Sequence, residues 1–346
     1  MRSFSLRPRI YFGSDALDAL RQLAGKRVLV VTDGFLARSG LLDQVKARLG
    51  DGMTVFDQVE PDPPLALAAK GVLALEKAAP EVVVAFGGGS PMDCAKAIRY
   101  FSKRELPLWA VPTTAGTGSE VTSFAVLTHD GVKYPIVDDA LLPDAAVLDP
   151  TLLAGVPAAV TADTGMDVLA HATEGYVARK ANPFTDALAE HAFTLAWESL
   201  PRAVEGDMAA REQMLLASCL AGMAFNGAGL GICHGLSHAL GGQIHLPHGR
   251  LNAILLPHVL RFNSADGAAA KKYGRLAALC GRGATAQSLA SGLARLRAAL
   301  GLPDRLGGGV DVPAAAAAAL ADRCTPENPR QAAVSDLSRL LREAGA

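Results

Sequence analysis

Two patterns of apolar residues divide the chain. As far as residue 150, short runs of branched apolar residues alternate with amphipathic stretches, and the runs are KRVLVVTD at 26–33, MTVFDQV at 53–59, EVVVAF at 81–86 and LPLWAV at 106–111. Strands buried on both faces of a parallel sheet have this continuous apolar character, whereas the stretches between them have helical spacing. The alternation predicts an α/β domain with a doubly wound parallel sheet, which binds ligands at the carboxyl ends of its strands.

Beyond Pro150 the pattern changes. Strand-like runs give way to alanine- and leucine-rich stretches of helical spacing that continue to the C-terminus. These stretches predict an all-α second domain. We therefore predict a dinucleotide-binding domain at residues 1–155 and a helical metal-binding and catalytic domain at residues 156–346.

The third apolar run ends in three glycines, Gly87, Gly88 and Gly89. Glycines let the backbone approach an anion closely, and a helix that starts here would point its free N–H groups at a phosphate. We interpret Ser90 as the N-cap of that helix and Pro91 as its first residue. The loop does not match the GxGxxG fingerprint, and by itself an ordinary tight turn explains it equally well. Three hydroxyls of the next glycine-rich loop could line the same crevice: Thr113, Thr114 and Thr117.

Asp33 ends the first apolar run. A carboxylate at this position can accept hydrogen bonds from ribose hydroxyls, and it would repel a 2′-phosphate, which favours NAD over NADP. A turn residue before Gly34 is an equal alternative.

Histidines are concentrated in one segment. Five of the eight lie between Gly231 and His258. His234 and His238 are four residues apart, as are Asp167 and His171 upstream, so each pair would share one face of a helix. Together with a histidine at a predicted helix break, His248, these pairs could bind one divalent metal through carboxylate and imidazole ligands. The alternative is a set of hydrogen-bonded core histidines.

Composition narrows the classes of function. The 33 basic and 34 acidic residues give a formal charge of −1, which argues against nucleic acid or a membrane surface as partner. Five scattered cysteines without a CxxC spacing fit free thiols in the cytoplasm. The N-terminus MRSFSLRPRIYFG has no apolar stretch of the kind found in secretory signals.

Several motifs together carry a family resemblance. GGGSPMD, PTTAGTGSEVT, TGMDVLAHATEGY, the segment from HGLSHALGG to PHG, and TPENPR resemble the iron-containing (group III) alcohol dehydrogenases over nearly the whole chain. Within that family the opening FSLRPRIYFG and the segment GGQIHLPHG most resemble the 1-propanol dehydrogenases of bacterial microcompartments.

The resemblance implies an oxidoreductase that uses NAD(H) and one divalent metal in a cleft between its two domains. It implies four metal ligands, Asp167, His171, His234 and His248, and one further active-site histidine, His238. The cofactor-binding residues that we predict are Asp33, Gly87, Gly88, Gly89, Ser90, Asp93, Thr113, Thr114, Thr117, Thr122 and Lys133. For the metal we favour Fe(II), with Zn(II) as the alternative, because carboxylate and imidazole suit both ions.

The implied reaction interconverts a short-chain primary alcohol and its aldehyde, such as 1-propanol and propanal, and it would run as aldehyde reduction that regenerates NAD. Alternatives are 1,2-propanediol (lactaldehyde), ethanol or butanol dehydrogenases, a lyase that resembles dehydroquinate synthase, and a scaffold protein without catalysis. We expect a homodimer in the cytoplasm. If it is enclosed in a microcompartment, its partners would be shell proteins or aldehyde-producing enzymes.

Five further interpretations concern single residues and the C-terminus. His238 would shuttle the proton or, nearly as well, orient a metal ligand. Asp163 is interpreted as a helix N-cap, and His245 and His258 as structural residues or as residues that line the cleft. The C-terminal segment, with Leu337, Leu340 and Leu341 at helical spacing, is predicted to pack on its own domain.

Overall fold

A computed structural model of the protein describes residues 4–129, 132–244 and 246–346. The chain forms two compact units, Met1–Val156 and Pro157–Ala346. The predicted domain boundary lies one residue before this division. His245 lies outside the described residues, as do the first three residues of the chain.

A parallel sheet forms the centre of the first unit. The strands that the structure describes are β1 (Arg9–Phe12), β2 (Val28–Asp33), β3 (Met53–Val59), β4 (Val82–Gly87), β5 (Leu108–Pro112), β6 (Phe124–His129), β7 (Val132–Val137) and β8 (Ala145–Leu148). Six of them pair in the order β1-β8-β5-β4-β2-β3, and all of these pairs are parallel. The remaining two strands, β6 and β7, form an antiparallel hairpin. The predicted doubly wound parallel sheet is confirmed.

The strand order defines where this sheet binds ligands. From β2 the chain first moves outward to β3 and then returns to β4 on the other side of β2, so the topological switch point lies between β2 and β4. Ligands of open α/β sheets bind beyond the carboxyl ends of the strands at such a point. Alternate residues of the three central strands share one core cluster with the helices on that face: Leu29, Val31, Val83, Ala85, Leu108 and Ala110.

Four helices of the first unit connect these strands: α1 (Gly34–Arg38), α2 (Leu41–Leu49), α3 (Leu65–Ala78) and α4 (Gly89–Ser102). The amphipathic stretch between β2 and β3 forms two helices, α1 and α2, and not one. The chain breaks there because Gly40 adopts a positive φ of 79°, a conformation that an α-helix does not contain.

The second unit is mostly helical and has no strand among its described residues, as predicted. Its helices are α5 (Ala158–Val177), α6 (Pro183–Val204), α7 (Met208–Ala228), α8 (Ile232–Ile244), α9 (His248–Asn263), α10 (Gly267–Leu279), α11 (Ala286–Ala299), α12 (Val312–Ala321) and α13 (Val334–Glu343). No single helix among the described residues is long and apolar enough to cross a membrane, although α7 and α8, bent by 105°, pass that test as a pair on length and composition alone.

The C-terminal helix α13 packs on its own unit, which confirms the prediction for this segment. Its apolar residues Leu337, Leu340 and Leu341 are at most 2% exposed. The contacts of α13 are with α12 and α9. Because α9 begins at His248, α13 supports a helix that carries a predicted metal ligand.

Candidate active site

Asp33 and Gly87 mark the switch point of the sheet, since they end the neighbouring strands β2 and β4. The Asp33 side chain caps α1, because its Oδ1 accepts hydrogen bonds from the backbone nitrogens of Phe35 at 2.9 Å and Leu36 at 2.8 Å. Asp33 thus has a structural role in the turn, and its contact with a ribose stays a prediction.

The two glycine-rich loops of the first unit pack against each other. The Thr113 nitrogen donates to the Gly87 carbonyl at 3.0 Å. A Cβ added to Gly88 would lie 3.2 Å from Thr114 Oγ1, and one added to Gly89 would lie 2.9 Å from the methyl carbon of Thr117. Larger residues would therefore separate the loops. The structure brings these predicted cofactor-binding residues together at the carboxyl edge of the sheet.

The predicted cap of α4 was wrong by two residues. The helix begins at Gly89, and the N-cap is Gly88, which has no side chain to accept a capping hydrogen bond. Gly87 has a φ of 149°, which allows the chain to turn into the helix before Ser90 is reached. Ser90 and Pro91 therefore lie inside the first turn, where their position leaves the backbone N–H groups at the helix start available to an anion.

Two other predicted cofactor residues, Asp93 and Thr122, belong to a buried network around Lys96. The Lys96 ammonium donates to Ser119 Oγ at 2.8 Å, to the carbonyl and hydroxyl of Thr122 at 2.8 and 3.2 Å, and to the Phe124 carbonyl at 2.7 Å. Asp93 accepts from Ser119 Oγ at 2.8 Å and from the Val126 nitrogen at 3.0 Å. Burial lowers the pKa of Lys96 to about 8, although Asp93 opposes the shift.

Glu120 is, like Lys96, a residue of this region that sequence reasoning missed. Its side chain is 2% exposed, and its Oε1 has no hydrogen-bond partner among the described residues. Burial raises the pKa of Glu120 to about 7, and the nearby Lys96 opposes that rise. Lys133, the last predicted cofactor residue, lies on the hairpin strand β7, where its ammonium pairs with Asp62 at 2.7 Å.

Helix α5 of the second unit carries a buried polar stripe: Asp163, Asp167, His171 and Glu174. Their spacings of four, four and three residues place them on one face of the helix. All four are at most 7% exposed. Since a buried charge must be paired or bound to an ion, the face of α5 that bears these residues needs partners from other helices.

Those partners come from the first turns of α8 and α9. Asp167 Oδ1 lies 3.6 Å from His234 Nε2 and 3.7 Å from His248 Nε2. Donor atoms of these three residues lie within 4.8 Å of one another. His171 is adjacent: its ring stacks on that of His234 with centroids 4.5 Å apart, and its Nδ1 lies 4.0 Å from Asp167 Oδ2. The structure thus brings the four predicted ligands together, three of them with converging donor atoms.

Asn252 lies among the same donor atoms. Its amide nitrogen donates to Asp167 Oδ1 at 2.7 Å and lies 3.2 Å from the Nε2 atoms of both His234 and His248. The Ser237 hydroxyl donates to the amide oxygen of Asn252, which fixes the orientation of the amide. The positive end of the amide dipole therefore points at the three acceptors.

The electrostatics of this cluster favour a cation. Burial alone would raise the pKa of Asp167, but the imidazoles of His171, His248 and His234 hold it well below its usual range. Burial alone would lower the pKa of His234, but Asp167 and Glu174 raise it to about 9. Burial keeps the pKa of His248 well below its usual value, so its Nε2 lone pair is available as a ligand. Asp167 and Glu174 thus favour positive charge next to them, while His248 offers a neutral imidazole.

The residues therefore fit a divalent metal. A carboxylate oxygen and two imidazole nitrogens, all lone-pair donors, converge in a buried place, and stacked beside them is a third imidazole, that of His171. Oxygen and imidazole nitrogen are ligands that suit both Fe(II) and Zn(II).

His238 has a carboxylate partner that the sequence did not reveal. Its Nδ1 lies 2.9 Å from Asp322 Oδ2, and its ring stacks on that of His248 with centroids 5.3 Å apart. Burial would raise the pKa of Asp322, but the hydrogen bond from His238 lowers it to about 2. Asp322 orients the imidazole and leaves Nε2 as the nitrogen that can exchange a proton.

Asp163 is not a helix N-cap, so that interpretation was wrong. Helix α5 already begins at Ala158, five residues earlier, after the extended Pro157. The Asp163 carboxylate instead forms two parallel hydrogen bonds at 3.0 Å with the Arg250 guanidinium. This bidentate pair ties the start of α9, and with it His248, to α5.

Sequence signals existed for some of the missed residues. Glu174 lies seven residues after Asp167, and Asn252 lies four after His248, so helical spacing alone places each on the face of a ligand. Lys96 is three residues after Asp93 on α4, so the two lie on one face of that helix. Asp322 is 84 residues from His238, and no local pattern connects them.

Comparisons with known proteins show the family of this chain. Two family models match: "Iron-containing alcohol dehydrogenase" over residues 7–150 and "Fe-containing alcohol dehydrogenase family, C-terminal" over residues 161–345. A "1-propanol dehydrogenase PduQ" of Citrobacter freundii is 46% identical over 99% of this chain and 100% of its own length. The predicted family resemblance is confirmed.

Solved structures show the same fold. A 1,3-propanediol oxidoreductase is similar to this chain with a TM-score of 0.93 and 37% identity, over 99% of this chain and 100% of its own. A sulfoacetaldehyde reductase from Bifidobacterium kashiwanohense, in complex with NAD⁺, is similar with a TM-score of 0.90 and 29% identity, over 100% of this chain and 99% of its own.

Proposed function

Because the chain belongs to the iron-containing alcohol dehydrogenase family, we propose that it interconverts 1-propanol and propanal, or a closely similar short-chain pair, with NAD(H). The observation that carries this proposal is the convergence of Asp167, His234 and His248 beside His171. The similarity to the 1-propanol dehydrogenase of Citrobacter freundii over the full length of both chains supports the substrate.

Asp167, His171, His234 and His248 would hold the metal, for which we favour iron over zinc. When bound, the metal supplies a Lewis acid that polarises the carbonyl oxygen, and the reduced nicotinamide supplies the hydride. His238 would transfer the proton. Its Nδ1 is hydrogen-bonded to Asp322. Its Nε2 would donate a proton to the oxygen of the product in reduction, or accept a proton from the alcohol in oxidation.

The first unit would bind the cofactor through the start of α4 and the two packed loops. The backbone N–H groups at Gly89 and Ser90 would contact the pyrophosphate, with Thr113, Thr114 and Thr117 beside them. Asp93 and Thr122 would act through Lys96, which holds the second loop in place. Asp33 would disfavour a 2′-phosphate and so favour NAD.

The lyase alternative is less well supported than alcohol dehydrogenation. Such an enzyme needs basic residues for a substrate that carries carboxylate and phosphate, and the basic residue nearest the ligands in sequence is Arg250. Its guanidinium is bound in two hydrogen bonds by Asp163. We propose further that the protein is a homodimer and that, as in the 1-propanol dehydrogenases that it resembles, it works as an aldehyde reductase in a microcompartment.

The decisive assay follows NADH oxidation by enzyme loaded anaerobically with Fe(II). We expect the highest kcat/KM with propanal, and a loss of about 10- to 200-fold when a methylene is added or removed, because one methylene in an apolar site is worth about 1–3 kcal/mol. Acetaldehyde, butanal and lactaldehyde are the comparison substrates, and metal-stripped enzyme is the control. A loaded enzyme that reduces none of these aldehydes would contradict the proposal, whereas a preference for another aldehyde would correct the substrate.

A further inference from the structure

We propose that Glu174 is the positioning residue of the metal site, because it fixes His234 with a proton on Nδ1 and thereby directs the Nε2 lone pair towards Asp167 and His248. Glu174 Oε2 lies 2.5 Å from His234 Nδ1, and both side chains are at most 2% exposed. An ionised carboxylate only accepts hydrogen bonds, so the proton between the two groups belongs to the imidazole. This inference rests on the proposed ligand role of His234.

The same carboxylate holds the start of the helix that carries His234. Glu174 Oε1 accepts from the Cys233 nitrogen at 2.8 Å, and Oε2 accepts from the His234 nitrogen at 3.2 Å. The Ile232 nitrogen donates to Asn328 Oδ1 at 3.3 Å, and the Gly235 nitrogen donates to the Gly231 carbonyl. The first N–H groups of α8 are therefore all satisfied, and a negative charge lies at the positive end of the helix dipole.

Gly231 allows the Glu174 carboxylate and the Asn328 amide to lie close to the start of α8. A Cβ at that position would lie 2.6 Å from Asn328 Oδ1 and 2.7 Å from Glu174 Oε1, distances that force one of the two capping groups away. The absence of a side chain at Gly231 is thus part of how the carboxylate reaches both the backbone and the ring of His234.

Helix α5 carries both Glu174 and two of the predicted metal ligands. Glu174 lies seven residues after Asp167 and three after His171, on the same buried face. One rigid helix therefore supplies two predicted ligands and the group that orients a third. A ring held by its second nitrogen is a better ligand, because it loses no freedom on binding and its basicity rises.

A glutamine cannot replace Glu174 here, although it has the same size. If the Gln oxygen accepts the His234 Nδ1 proton, the amide N–H group faces the Cys233 N–H, which is also a donor. If the oxygen accepts from Cys233, the amide donates to Nδ1, and the neutral ring must carry its proton on Nε2, where the metal would bind. Either arrangement weakens metal binding.

The test compares Glu174→Gln with Asn328→Ala in the full chain. Asn328 caps the same helix start without touching the His234 ring. Its variant removes this cap and the hydrogen bonds of Asn328 with Asn263 and Arg330, none of which involves a predicted metal ligand. We expect both variants to lower the Tm of the metal-free protein. The zinc Kd, measured by competition with a chelator, should rise about 10- to 100-fold in Glu174→Gln and stay unchanged in Asn328→Ala. Equal zinc affinity in Glu174→Gln and the parent would overturn the inference.

A second measurement needs no stable variant at Glu174. In zinc-loaded parent protein with ¹⁵N-labelled histidine, the Nδ1 of His234, assigned with His234→Ala, should carry a proton that exchanges slowly and resonates downfield. Nδ1 found without a proton would overturn the inference even if Glu174→Gln does not fold. A parent protein that binds no metal would instead contradict the ligand set of the proposed function.

Discussion

Each unit of the protein buries a cluster of charged groups, and the two clusters differ in what completes them. In the first unit the Lys96 ammonium lies among oxygen acceptors, and Asp93 accepts from its own donors, so cation and anion are both present in the protein. In the second unit Asp167 faces imidazole nitrogens at 3.6 and 3.7 Å, which are acceptors when the rings are neutral. The first cluster contains its own cation, whereas the second presents convergent carboxylate and imidazole atoms that can bind one, with the Asn252 amide nitrogen among them.

The two clusters differ in the property that separates a buried network that stabilises the fold from one that binds a cation. Both contain carboxylates in surroundings that disfavour charge, and both have shifted pKa values, so a shift alone would not separate them. The distinction is the balance of donors and acceptors. Matched donors and acceptors stabilise a fold, and an excess of convergent acceptors indicates a cation site.

The largest expected effect concerns the second cluster. His248→Ala should abolish retention of the metal, because it removes a donor atom from the convergent set. Its side chain is 29% exposed, so the Tm of the metal-free protein should change little. Metal content per chain after dialysis is the measurement. His258→Ala, a change on the same helix outside the donor set, is the control and should keep its metal; a full metal equivalent in His248→Ala would remove that residue from the ligand set.

His234→Ala tests the same metal site at a more deeply buried ligand. Unlike His248, the His234 side chain is 1% exposed and faces Glu174. Its loss would also leave a buried carboxylate without its partner, which lowers the free energy of unfolding. The two histidine variants should thus agree in metal content and differ in stability.

The next effect concerns the first cluster, where the cation is a side chain. Lys96→Met keeps the length of the chain but leaves Asp93 buried without its cation. We expect the free energy of unfolding to fall by about 3–5 kcal/mol, the usual cost of removing one partner of a buried pair. Urea unfolding of the two proteins measures it. Lys77→Met, on the exposed surface of α3, should change it by no more than about 0.5 kcal/mol. A similarly small change at Lys96 would mean that the cluster does not depend on its cation.

The smallest expected effect is on how the free energy of unfolding depends on pH. Burial raises the pKa of Glu120 from 4.5 to about 7, so the folded protein holds a proton there that the unfolded chain has released. The free energy of unfolding therefore falls as the pH rises from about 4.5 to about 7, and Glu120→Gln removes that fall. Relative to the parent, the variant should gain at most about 3 kcal/mol across this range. Denaturant unfolding at pH 5 and pH 8 tests this gain; Glu76→Gln on exposed α3 should show no such trend.

Most of the fold could be predicted from the sequence, because its long elements have strong periodicity. The runs at 28–33 and 82–87 are rich in valine and largely apolar, and they form the strands at the switch point. The strands β1 and β8, four residues each, were too short to give a pattern, and their pairing is set by the sheet. The split between α1 and α2 depends on the φ of Gly40, which composition does not reveal.

The site was predictable where its residues are close in sequence and not where distant elements meet. Helical spacing links Asp167 with His171 and His234 with His238, and the family resemblance selected the four ligands: Asp167, His171, His234 and His248. The pairing of His238 with Asp322 and that of Asp163 with Arg250 depend on how helices pack, and spacing carries no information about either. Ser90 was misassigned because helix ends depend on local backbone geometry more than on residue preference.

The buried stripe on α5 also determines where this protein can tolerate a change in chain length. Deleting or inserting one residue between Asp163 and Glu174 would turn every later group by about 100° around the helix axis and remove it from its partner. The glycine-rich stretch at residues 307–309 is exposed and carries no such group, so length there can vary at little cost. Insertions and deletions, more than substitutions, would therefore separate the part of the molecule with a fixed register from the part without one.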